Sequence, residues 1–219
     1  MRIRDILHIT DRRQRQAARG MQAFLVLMLV AGLLLRSGGV VVNALIGLVV
    51  TFLPGILERD AGIPMDAGLT LWISAAVFLH AVGTLTLPGI GKPYANVWWW
   101  DHLTHALSAS LVAAVGYATT RAIDIHSDSV SFPPRFHFVF ILLFVLAFGV
   151  FWEVIEFAIG LAASYTGTKG ILTQYGLEDS MLDLVFDTVG AILVAIFGSR
   201  QLGEVIDALT ARLEERRAG

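Results

Sequence analysis

Polar breaks divide the chain into six apolar blocks, most of them about 17–25 residues long, the length that crosses a bilayer as a helix. The pattern predicts helices over about 21–36, 40–57, 67–88, 97–119, 136–163 and 181–199. The breaks carry turn chemistry. Arg36-Ser37-Gly38-Gly39 separates the first two blocks, Gly62 and Pro64 mark the next loop, and Pro88-Gly89 stops the third block. Pro133-Pro134 closes the loop after the fourth block, and Gly167, Gly170 and Gly176 punctuate the stretch after the fifth. The first block has no small-residue cleavage site after it and a second apolar run follows at once, so it reads as a retained helix and not as a signal peptide. The expected fold class is all-α: a polytopic membrane protein built as a six-transmembrane-helix bundle.

Beyond the last block the period changes. Leu202, Val205, Ile206, Leu209 and Leu213 recur at helical spacing among Glu, Asp and Arg. Residues 201–219 therefore read as an amphipathic tail on the inner membrane surface or on a partner. Residues 1–20 carry six arginines and read as a basic segment beside the membrane, with 21–200 the membrane domain. Even without lipid contacts, that cluster serves as a topology signal. With the N-terminus inside, only Arg36, Lys92 and Lys169 of the 16 Lys and Arg fall on the outer side. The positive-inside rule then predicts a multi-pass protein of the cell membrane with both termini cytoplasmic.

Composition agrees: 56% of residues are hydrophobic and 16% charged, against roughly half and a quarter in a soluble domain. The absence of Cys excludes disulfides, thiolate metal sites and cysteine nucleophiles. Membrane lipids are the expected partners, and no nucleic acid is.

What the apolar blocks contain against expectation is charge. The fourth begins Trp98-Trp99-Trp100-Asp101-His102-Leu103-Thr104-His105, where Asp101 and His105 share a helix face. The fifth holds Glu153 and Glu156, three apart, and the sixth holds Asp183 and Asp187, four apart. In the predicted topology each pair falls within about two turns of the outer interface, taking 1.5 Å per residue. Five carboxylates at one depth cannot all stay ionised unaided; bound cations or shared protons must compensate them. Asp, Glu and His together suit Zn, Mn or Fe as a divalent ion, and more than four ligands allow two metals. The candidate metal ligands are Asp101, His105, Glu153, Glu156, Asp183 and Asp187.

Plainer readings stand beside these. The tryptophans are interfacial anchors. His80 reads as a hydrogen-bonding packing residue. His102 lies about 100° around the helix from the Asp101–His105 face, as a group near the headgroups or behind the ligands. Glu178 and Asp179 read as loop or first-turn helix charges, and Asp183 alone would also serve the helix dipole. Jointly, the three pairs could be a polar network that only locks the bundle.

The motifs Trp100-Asp101-His102-x-x-His105, Glu153-x-x-Glu156 and Asp183-x-x-x-Asp187-Thr188-x-Gly190 resemble the YjdF-like family of small integral membrane proteins over residues 97–198. More distantly they are similar to VanZ-like proteins, which tend to carry amides at the positions of Glu156 and Asp187. The first resemblance implies a membrane protein and no particular reaction. The second implies a loose link to glycopeptide susceptibility and envelope lipids. Three functions fit: a metal-dependent enzyme acting on a lipid or lipid-linked envelope substrate, a proton- or cation-coupled transporter or flippase, and a structural membrane protein without turnover. The inner halves of the helices carry almost no charge, which weighs against an ion pathway.

Overall fold

The structure is a computed structural model describing residues 10–127, 129–167 and 176–218. Arg2, Arg4, Lys169 and Gly170, which entered the topology argument, lie outside the described residues. Among the described residues the chain is helical apart from turns and one isolated bridge between Leu87 and Gly91. In order the helices are α1 (Asp11–Leu34), α2 (Gly38–Thr51), α3 (Leu53–Ala61), α4 (Ala67–Gly83), α5 (Pro93–Asn96), α6 (Trp100–His126), α7 (Pro134–Thr166), α8 (Leu177–Gln201) and α9 (Gly203–Ala218).

Five stretches among the described residues are long and apolar enough to cross a membrane: α1, α2 with α3, α6, α7 and α8. Helix α4 is equally apolar but has 17 residues, so at 1.5 Å per residue it is at the short end of the spanning range. Large apolar side chains such as Leu27, Val49, Leu143 and Phe151 stand exposed on the spans. In water such a surface would mark an interface; here lipid is its natural solvent. The protein is all-α and polytopic.

The boundaries moved where capping chemistry outweighed hydropathy. Helix α1 starts ten residues before the first apolar block, where Thr10 Oγ1 accepts from the Arg13 N–H at 3.3 Å. The basic segment is therefore partly helix: Arg12, Arg13, Arg15 and Arg19 are exposed while Gln14 and Ala18 are buried. The second block, drawn to about residue 57, contains Pro54, which does not stop the helical run. The proline occupies the first turn of α3, where its missing N–H is not needed, and the pair α2–α3 runs on to Ala61. The Trp-rich helix begins only at Trp100, leaving Trp98 and Trp99 before it.

The chain forms two compact units, residues 1–97 and 98–219. In the first, α1, α2 and α4 pack mutually around Leu25, Met28 and Ala44. A Cβ on Gly47 would stand 3.3 Å from Leu25 Cδ2 and 3.4 Å from the Val77 carbonyl, so a small residue sets that approach. Asn43 donates to the Gly39 carbonyl of its own helix at 2.9 Å. His80 Nδ1 pairs with the Tyr94 hydroxyl at 2.7 Å, the packing role its sequence context suggested.

In the second unit α6 and α8 form the closest helix pair, α7 packs on both, and α9 returns onto α6. The α6–α7 turn is fastened by Asp124. One oxygen accepts from the Phe132 N–H at 2.6 Å, and the other accepts from Arg121 at 2.5 Å and His137 Nε2 at 3.4 Å. The tail is helical as its period predicted, and the first part of its apolar stripe packs within the chain. Leu202, Val205 and Ile206 are buried as α9 folds onto α6. Ile206→Ala should lower stability by about 2–5 kcal/mol, the range for a buried aliphatic residue cut to Ala. Thermal unfolding in detergent reads this, and an unchanged transition would return the tail to the membrane surface.

Candidate functional site

Helix α6 supplies Asp101 and His105 one turn apart, and α8 supplies Asp183 and Asp187 in the same relation. The α6–α8 approach makes these pairs meet. A Cβ on Gly190 would collide with the Ala106 carbonyl oxygen and come 3.0 Å from the Ser110 N, so glycine at 190 lets the two backbones touch. One turn toward the site, His105 lies among three carboxylates. Its Nδ1 donates to Asp187 Oδ1 at 3.2 Å, and its Nε2 lies 3.7 Å from Asp101 Oδ1 and 3.8 Å from Asp183 Oδ2. One ligand atom from each of Asp101, His105 and Asp183 falls within 4.8 Å of the others. Two atoms bound about 2.0–2.2 Å from one tetrahedral ion stand about 3.3–3.6 Å apart, so the His–Asp separations are close to the edges of such a site.

Burial sharpens the demand for compensation. Asp183 is 3% exposed, and its Oδ1 is buried with no hydrogen-bond partner among the described residues. Residues 100–120, 136–166 and 177–199 contain no Lys or Arg. A bare carboxylate at this depth is expensive unless a cation or a proton meets it.

Helix α7 completes the surroundings. Gly149 faces α8, where a Cβ would strike Asp187 Oδ2 and crowd Leu184 Cδ2, so its bare backbone makes room for the carboxylate beside His105. One turn on, Glu153 is buried and within electrostatic range of Asp101 and Asp183. Glu156 is half-buried, accepts from Trp152 Nε1 at 3.1 Å, and lies within electrostatic range of Glu153, His105 and Asp101. Among the described residues the tight group contains Asp101, His105 and Asp183, with Asp187 bonded behind the imidazole; the two glutamates border it.

His102 is stacked on Phe186, with ring centroids 4.4 Å apart and planes 5° from parallel, and is not one of the three clustered ligand residues. Glu178 and Asp179 lie in the first turn of α8, and Asp179 adds negative potential at Asp101 and Asp183. Sequence reasoning did not single out Gly149, Trp152 or Phe186. Trp152 lay one turn before Glu156, a readable signal; Gly149 and Phe186 act across helices, where no spacing rule reaches.

A protein of Thermotoga maritima described as "Uncharacterized protein" is 30% identical over 148 residues, which is 66% of this chain and 68% of that one. No solved structure matches the chain. A family model matches residues 17–204, which include the whole site, and the chain belongs to the family described as "Predicted membrane protein (DUF2238)".

Proposed function

We propose that the second unit is a metal-dependent membrane enzyme that holds one divalent cation of Zn, Mn or Fe type on Asp101, His105 and Asp183. The observation that carries this reading is the approach of those three ligand atoms to within 4.8 Å, with Asp183 Oδ1 buried beside them and unmatched. Three protein ligands leave a coordination position open, the pattern of catalytic sites and not of closed structural ones. Asp187 is the orienting carboxylate: by taking the Nδ1 proton of His105 in a hydrogen bond, it turns the Nε2 lone pair toward Asp101 and Asp183. Glu153, buried at the edge of the group, stands where it can accept or return a proton. Glu156, tethered to Trp152, tunes the field at Glu153. A bound cation would supply charge to polarise a phosphoryl or acyl oxygen, or to activate water.

The substrate reading is a lipid or lipid-linked envelope molecule. It is supported by the site's place on membrane helices and by the VanZ-like part of the motif resemblance. Element analysis of detergent-purified protein tests the cation, with about one first-row metal per chain expected. Protein that carries no metal and takes up neither Zn²⁺ nor Mn²⁺ would leave shared protons as the compensation, and the enzyme reading would fall.

For orientation, both termini are assigned to the cytoplasm and the site to the outer half of the bilayer, on the distribution of basic residues. Cysteines placed singly near Gly91 and near Gly170 should react with an impermeant thiol reagent in intact cells. Labelling only after lysis would reverse the orientation.

A further inference from the structure

Glu153 also faces a second feature, which the cation site does not require. Between α7 and α8 runs a cavity of about 420 Å³, within the ordinary range for ligand pockets. Its walls are apolar: Val150, Val154 and Phe157 from α7, Leu177, Met181 and Leu184 from α8. Two polar residues, Glu153 and Ser180, interrupt them near mid-length. Val154, Phe157, Leu177 and Met181 are each half or more exposed, so the cavity is a groove open along its side and not a closed void.

Three observations bear on what fills it. The groove lies on spanning helices, so its open side looks onto acyl chains and not onto water. Its polar residues divide it. Leu177 is the first residue of α8 and Val150 is at the middle of the 33-residue α7, so Glu153 and Ser180 stand midway with apolar wall on either side. The part from Glu153 toward Val150 and Leu184 is an apolar run toward the bilayer centre, the layout for a lipid chain whose polar end rests at Glu153. It is also continuous with the site: Glu153 lines it and acts electrostatically on Asp101 and Asp183, and Leu184, between Asp183 and Asp187, forms part of its wall.

We infer that this groove is a lateral port that takes the hydrocarbon chain of a membrane lipid from the bilayer and leaves its polar end at Glu153, beside the Asp101–His105–Asp183 group. The substrate class is then a lipid with at least one flexible apolar chain and a compact polar head. The identity of the head rests on the cation reading above; the place of the chain rests on the groove alone. Entry from the side explains why exposed apolar residues flank a buried carboxylate. A soluble substrate would gain nothing from that wall and would need a water-filled approach.

The probe is a long-chain fatty acid with a diazirine at mid-chain, incorporated with the full-length protein into phosphatidylcholine nanodiscs and photolysed. Adducts should concentrate several-fold at Val150, Val154 and Met181 over Val115, Leu143 and Leu193, which are comparably exposed apolar residues on the same unit. Met181→Trp, at a half-exposed position, should fill the groove and remove the excess at Val150 and Val154 while metal content stays at the wild-type level. Adducts spread evenly over all these residues, or an excess that survives Met181→Trp, would overturn the port. Groove adducts on a protein that binds no metal would leave the port standing and remove the cation site. Metal binding with even labelling would do the reverse.

Discussion

Replacing His105 or Asp183 with Ala is expected to empty the cation site while the protein still inserts in the membrane. Each supplies one of three ligand atoms within 4.8 Å, so its loss leaves two, too few to hold an ion against water. Asp187→Asn removes only the carboxylate behind the imidazole, 3.2 Å from Nδ1, and should weaken binding about 10–100-fold. The two direct substitutions should therefore exceed that loss. Metal per chain by element analysis, and Mn²⁺ or Zn²⁺ titration of the stripped protein, give the order. Stability separates the alternatives further. In metal-free buffer Asp183→Asn removes a like charge from Asp101, so its unfolding temperature should hold or rise. Full metal content in either Ala variant would remove that residue from the ligand set.

Gly190→Ala is expected to be the most damaging single methyl in the second unit. Ala is intrinsically the better helix former by about 1 kcal/mol, so local propensity alone predicts a gain. The added Cβ, however, meets backbone atoms of Ala106 and Ser110, which cannot rotate aside as a side chain would. Helix α8 must then move off α6, and forcing an extra methyl into a closed contact costs about 1–3 kcal/mol. Tertiary packing should win, and the shift should also separate Asp183 from His105 and weaken metal binding. Gly160→Ala on α7 is the internal control, since nothing lies within 4 Å of a Cβ there and the propensity term acts unopposed. Thermal unfolding in detergent should show opposite signs for the two. Equal signs would mean that the α6–α8 approach is set elsewhere.

Much of the architecture is local and was therefore readable in the chain. A run of apolar residues must satisfy its backbone internally in lipid, so hydropathy alone dictated helices, and all-α, and more than one span. Helical period likewise put Asp101 with His105 and Asp183 with Asp187, because residues four apart share a face whatever surrounds them. Capping is local too, yet Thr10 and Pro54 moved two boundaries that hydropathy had drawn elsewhere, since a hydropathy profile does not register a hydrogen bond or a missing N–H.

Which faces meet was decided only in three dimensions. Nothing in the spacing of Glu153 and Glu156 distinguishes them, yet one is buried toward the Asp–His group and the other is tethered to Trp152. The period of the tail's stripe does not say what covers it, and in the fold Leu202, Val205 and Ile206 are buried as α9 packs on α6. His105 could be assigned a partner on its own helix from sequence, but its bond to Asp187 spans 82 residues and depends on two glycines, 149 and 190, whose missing side chains let three backbones close around the carboxylates. A helix repeats every 3.6 residues on its own. The distance between two helices depends on what both lack at the crossing, and a single stretch of sequence holds only half of that information.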